Sequence, residues 1–132
     1  MRHLARALSA IVEGELSALP VVLAAAHSDL EHATSIAGRL TVSRQSVVRV
    51  LKAWRSGDFT AGEIQQWASF VRRGYVAQRQ MTGIFPLKIE YDESDEGLIV
   101  EIIGRLDEIG DSIDGEIDDV ELEALFISLD AK

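Results

Sequence analysis

Four aspartates near the C-terminus have a spacing that suits the recognition of a positively charged partner. Asp107, Asp111 and Asp114 are spaced at four and three residues, and Asp118 follows at the predicted start of the next helix. Carboxylates four residues apart on one helix face repel each other unless a cation or a basic partner is close. We therefore predict that these aspartates bind a basic protein partner through electrostatic complementarity.

A second set of polar side chains lies near the middle of the chain. Arg44, Gln45, Arg49 and Lys52 are of the types that contact phosphates and the edges of bases. No acidic residue lies within residues 33–51, which favours contact with a polyanion. The alternative prediction is therefore a DNA-binding regulator that uses residues 33–55.

Catalytic patterns are not found in the sequence. The chain has no cysteine, and it has no Ser/His/Asp order, phosphate-binding glycine loop or dinucleotide fingerprint. The carboxylates of residues 90–96 have no partnering base, so we predict that the protein is not an enzyme and needs no cofactor or metal.

Residues 110–121 partly match a calcium-binding loop, but Gly110 stands where the first carboxylate ligand is expected. Whether that loop binds a cation is left open.

The charge of the chain is distributed unevenly. The 132 residues make one domain, residues 1–132, with a formal net charge of −9. The middle, residues 33–89, has nine basic and two acidic side chains, whereas residues 90–132 have sixteen acidic and two basic ones. The two regions either neutralise each other within the domain or leave the acidic third available to a partner.

Membrane and export signals are also missing from the sequence. No apolar run reaches the roughly 18 residues of a membrane span. Arg2 and Arg6 are not followed by a cleavable signal pattern. We expect a soluble cytoplasmic protein.

The apolar periodicity predicts helices along almost the whole chain. Apolar residues recur at intervals of three and four, and Gly14 and Gly57 separate successive segments. Ser43, Thr60 and Asp118 are predicted to cap the helices that follow them. The expected fold is an all-α, single-domain bundle of five or six helices with one irregular loop near residues 80–94.

The acidic C-terminal region, residues 95–131, is predicted to form a helical hairpin. Its two helices are expected over Leu98–Ile109 and Val120–Leu129. The first carries an apolar stripe that is wider than one neighbouring helix needs. The chain is therefore predicted to be either a monomer whose N-terminal helices cover this stripe or a homodimer that buries it.

Residues 33–51, ATSIAGRLTVSRQSVVRVL, resemble the helix-turn-helix of bacterial transcription regulators. Ile36, Leu40 and Val47 fall where that motif packs its two helices together, and Ser43 caps its recognition helix. Thr41 stands where the family often has a glycine in the turn. The resemblance implies a tight turn between two helices and a role in DNA binding.

Residues 51–75 resemble a small helical module of bacterial immunity-type proteins of toxin systems. The resemblance is carried by Trp54, Gly57, Glu63 and the pair Trp67 and Ala68. Such proteins are small, acidic and poor in cysteine, and they neutralise a basic toxin. The resemblance thus implies an inhibitory, non-catalytic protein-binding module.

Overall fold

The protein is mostly helical. The computed structural model describes residues 1–77, 85–113 and 115–130. Short 3₁₀ turns lie at Leu16–Ala18 and Glu93–Asp95. The described residues form seven α-helices: α1 Arg2–Val12, α2 Leu19–Ala24, α3 His27–Ala37, α4 Arg44–Arg55, α5 Ala61–Arg73, α6 Glu96–Asp107 and α7 Asp119–Ser128. The predominantly helical fold is thus confirmed, whereas the predicted five or six helices were too few.

A small parallel sheet shows that the fold is not purely α-helical. Strands β1 (Leu40–Val42) and β2 (Ile89–Tyr91) pair in register, with Thr41 opposite Glu90. The pairing continues one residue further, because the backbone N–H of Asp92 donates to the carbonyl oxygen of Val42 at 3.0 Å. The loop expected near residues 80–94 therefore contains a strand, and its residues 80–84 lie outside the described part of the chain.

Capping side chains begin three of the helices as predicted. The Ser43 and Thr60 hydroxyls accept the backbone N–H three residues ahead, each at 3.2 Å, and thereby begin α4 and α5. Asp118 does the same for α7, accepting from the N–H of Glu121 at 2.8 Å. Each bond satisfies a donor that the first turn of a helix leaves unpaired.

Gly14 ends α1 and allows close contact between two helices. Its φ of +90° lies in the left-handed region, which other residues adopt at a cost. A Cβ at this position would meet the carbonyl oxygen of Ser46, which lies in the first turn of α4. The glycine therefore sets the approach of the end of α1 to α4.

The core is built mainly where α1 packs on α3 and α5 packs on α6. Trp67 of α5 is fully buried, and its indole N–H donates to the carbonyl oxygen of Ile11 at 2.7 Å. The apolar stripe of α6 is buried within the same chain: Ile99, Ile102, Ile103 and Leu106. Its width therefore does not require a second copy.

Candidate functional site

Asp107, the first of the predicted partner-binding residues, points into the protein. Its side chain is only 3% exposed, and it accepts hydrogen bonds from Arg72 at 2.9 Å and Arg73 at 2.6 Å. The amide of Gln65 donates to the same carboxylate at 3.1 Å. Tyr91 lies near this cluster, and burial raises the pKa of its phenol. Because Asp107 is held by two arginines of the same chain, the prediction that it faces a partner is corrected.

The remaining predicted aspartates lie after α6, so they do not share a helix face with Asp107. Asp111 is exposed, and its backbone N–H closes a turn onto the carbonyl oxygen of Glu108. Asp118 is exposed as well, although one of its oxygens caps α7. Asp114 lies outside the described residues. The repulsion predicted between Asp107 and Asp111 on one helix is therefore wrong, because α6 ends at Asp107.

The acidic surface of the C-terminal region is formed largely by other carboxylates. These side chains are exposed, and no described basic side chain lies within ion-pair distance of them: Glu96, Glu101, Asp111, Glu116, Asp119 and Asp130. We call this set the acidic face. Sequence reasoning singled out only Asp111 among them, because regular spacing carries no information about which carboxylates are exposed.

Exposed apolar side chains accompany the acidic face. Val120 and Ile127, seven residues apart on α7, are 79% and 70% exposed. Val100 on α6 is 49% exposed, and Ile113 in the connection between the two helices is 89% exposed. A surface that combines carboxylates with exposed apolar groups is suited to protein contact, since apolar burial contributes affinity and charge contributes selectivity.

Arg105 holds the two acidic helices together. Its guanidinium donates to both carboxylate oxygens of Glu121 on α7, at 2.5 and 2.9 Å. It also bonds Glu108 at 3.0 Å and the carbonyl oxygen of Glu116 at 3.0 Å. The hydrogen bond from Arg105 lowers the pKa of Glu121 below its ordinary value, and that bond in turn raises the pKa of Arg105. The pair therefore links α6, its connecting loop and α7.

The predicted DNA-binding side chains on α4 differ in their availability. Arg44 is partly buried and pairs with Asp95 at 3.0 Å. Gln45, Arg49 and Lys52 are exposed at intervals of four and three residues, which places them on one helix face. Arg49 donates to the carbonyl oxygen of Glu13 at 2.8 Å.

The backbone around these residues lacks the tight turn that the helix-turn-helix resemblance implies. Strand β1 lies between α3 and α4, and α3 packs mainly on α1. Ile36, expected between the two helices of the motif, is 47% exposed. The expected local packing is therefore wrong, whereas DNA binding itself stays a prediction.

The segment that resembles immunity-type proteins has structural contacts within this fold. Trp67 lies in the core, Trp54 packs against the core while partly exposed, and Glu63 completes the cap of α5. Gly57 adopts a φ of +83° in the turn between α4 and α5. These residues therefore contribute to the core, to the cap of α5 and to the turn between α4 and α5.

The described residues contain neither a cluster of metal-ligating side chains nor a membrane-length apolar helix. These residues contain no group of three or more His, Asp or Glu side chains arranged to hold a metal ion. In the calcium-like loop, Asp118 caps α7 and Glu121 binds Arg105. Within the described ranges, no helix is both long and apolar enough to cross a membrane.

Comparison with known proteins returns no relative. No protein-family model, no curated protein and no solved structure matches this chain. The resemblances to immunity-type proteins and to helix-turn-helix regulators therefore stay predictions.

Proposed function

We propose that the protein is a non-catalytic binding module, of an inhibitory or immunity-like kind, that recognises a basic protein through its acidic face. The observation that carries the proposal is the combination of exposed carboxylates on and between α6 and α7 with exposed Val120 and Ile127. The excess of acidic side chains in residues 90–132 strengthens the attraction over distances up to a Debye length, about 8–10 Å at ordinary salt.

The acidic face is favoured over the four predicted aspartates as the binding determinant. Asp107 is neutralised inside the protein, whereas Glu101, Asp111, Glu116 and Asp119 have no described basic side chain within ion-pair distance. Carboxylates without an internal partner keep their full attraction for an incoming lysine or arginine.

The proposal is tested by neutralising the acidic face in the full chain. The face variant combines Glu101→Gln, Asp111→Asn, Glu116→Gln and Asp119→Asn. We expect the wild-type protein to retain a basic protein from lysate of the source cell, identified by mass spectrometry. Measured with that purified partner, the variant should bind roughly ten-fold or more weakly, since each exposed ion pair contributes up to about 1 kcal/mol.

A control variant with the same change in charge separates recognition from net charge. It combines Glu13→Gln, Glu15→Gln, Asp29→Asn and Asp58→Asn, all at exposed positions outside residues 90–132. The control should bind like the wild type. Equal weakening of both variants, or retention of no basic protein at low salt, contradicts the proposal.

DNA binding remains the alternative, and the exposure of Gln45, Arg49 and Lys52 on one face of α4 favours it. A mixed-sequence DNA duplex is therefore the second probe in the same experiment. Duplex binding that falls in an Arg49→Ala/Lys52→Ala variant and weakens steeply with salt would favour the alternative.

A further inference from the structure

An apolar groove lies between α6 and α7, on the acidic side of the protein. Its volume is about 620 Å³, which is within the range of ordinary ligand clefts. Buried Ile102 and partly buried Leu125 contribute apolar surface to its lining, together with Ala124 and the backbone of Gly104. The groove is therefore a concave surface with apolar lining that stays open to solvent.

Small residues keep this groove open. Gly104 has no side chain, and a Cβ built at that position meets no atom within 4 Å. Ala124 lines the groove from α7, is exposed and adds only a methyl group. Larger side chains from another molecule therefore have room to enter between the two helices.

Carboxylates also line the groove. Glu101, Glu108 and Glu121 contribute to it, and Arg105 is the one basic residue among its lining residues. Arg105 forms ion pairs with Glu108 and Glu121 and therefore offsets part of their charge. Among the described residues, no basic side chain lies within ion-pair distance of Glu101. The apolar lining and the negative surroundings together select an occupant with an apolar face and basic flanks.

We propose that this groove is the docking site for one amphipathic helix of the partner protein, with apolar residues on its inner face and lysine or arginine on its flanks. The inference rests on the proposed function and specifies its binding mode. Helices of this kind bind in apolar grooves through side chains at intervals of three and four residues. The ten residues of α7 span about 15 Å, which matches roughly three turns of such a helix.

A second copy of this chain fits the groove poorly. Its own α6–α7 region has the same excess of carboxylates, so two copies meeting there bring like charges together. A basic helix from a different protein removes that repulsion, which is why charge complementarity selects it as the occupant.

The test uses two synthetic peptides of identical composition. One 18-residue peptide places leucine and lysine with helical periodicity, so that its helix is amphipathic, and the other alternates the same residues. Titration of the full chain by fluorescence anisotropy should give an affinity at least ten-fold higher for the first peptide. Binding should weaken at high salt, because the lysines contact the carboxylates around the groove.

Two variants that fill the groove locate the binding site. Gly104→Leu and Ala124→Leu each place a larger side chain in the groove and should each lower the affinity for the amphipathic peptide at least ten-fold. Gly62→Leu is the matched control, since Gly62 is an exposed glycine of α5 whose added Cβ would meet only Thr60, at 3.8 Å. It should leave the affinity unchanged, and circular dichroism should show all three variants folded.

Several outcomes overturn the groove as the docking site. These are equal affinity for the two peptides, no binding of either peptide at low salt, and unchanged binding in both groove-filling variants. None of these outcomes contradicts the proposed function if the face variant still binds the natural partner more weakly than the wild type does. Conversely, a face variant that binds like the wild type contradicts the proposed function whatever the peptides do.

Discussion

At the scale of single residues, Asp107 contributes to the stability of the fold from the interior. Its carboxylate joins α6 to α5 through Arg72 and Arg73, whose side chains are themselves 52% and 37% exposed. Burial of a charge is costly unless it is paired and hydrogen-bonded, and this arrangement meets both conditions. The partial exposure of the arginines limits what is lost when the carboxylate is removed.

We expect Asp107→Asn to lower the free energy of unfolding by about 1–3 kcal/mol, because it removes the charge that both arginines contact. Urea denaturation measures the change. Asp111→Asn is the control, since Asp111 is exposed and should change stability by no more than about 0.5 kcal/mol. Equal effects of the two substitutions would show that the buried cluster contributes nothing specific.

At the scale of elements, the bonds from Arg105 to Glu121 and to the loop residue Glu116 connect α6 with α7. The pKa of Glu121 is lowered from its ordinary value of 4.5 by its hydrogen bond with Arg105. A carboxylate whose pKa is lower in the folded protein contributes stability that is fully present above its unfolded pKa. That contribution is lost as the pH falls through the folded value.

We expect Arg105→Gln to raise the pKa of Glu121 towards 4.5, as measured by NMR titration of its carboxyl carbon. The difference in stability between wild type and variant should be largest above pH 4.5 and should shrink as the pH falls below it. Arg39→Gln is the control, because Arg39 lowers the pKa of Glu90 instead. A Glu121 that titrates identically in all three proteins would refute the link.

At the scale of the whole molecule, charge opposes self-association. The net charge is −9, and the apolar stripe of α6 that favoured a homodimer is buried within one chain. Exposed apolar groups remain on α7 at Val120 and Ile127, but Asp119 and Glu121 adjoin Val120 in the chain, and Glu123 and Asp130 are four and three residues from Ile127. Screening of these charges by salt is therefore needed before two copies approach through this region.

We expect sedimentation velocity to give a monomer of 14.5 kDa at low salt, with any association appearing only at high salt. The measurement is made at concentrations well above micromolar, where a weak dimer would be visible. Val120→Ser/Ile127→Ser is the comparison variant and should remain monomeric at every salt concentration. A dimer at low salt would contradict this prediction.

Local features of the fold could be predicted from the sequence. The predicted caps at Ser43, Thr60 and Asp118 are confirmed. They were predictable because each cap involves residues only three positions apart in the chain. The helical character of most of the chain follows from apolar periodicity in the same way. By contrast, α3 begins at His27 with a polar first turn, and composition alone does not distinguish such a helix start from a loop.

Contacts between distant segments could not be predicted from the sequence. β1 and β2 pair although Thr41 and Glu90 are far apart in the chain, and the backbone bonds that join them leave almost no sequence signal. The arginines that hold Asp107 lie on another helix. Apolar periodicity, capping residues and the charge count were therefore enough to predict a mostly helical chain, three helix starts and an acidic C-terminal third. Which carboxylates are exposed could not be predicted in this way, because burial and ion pairing depend on which helices pack together.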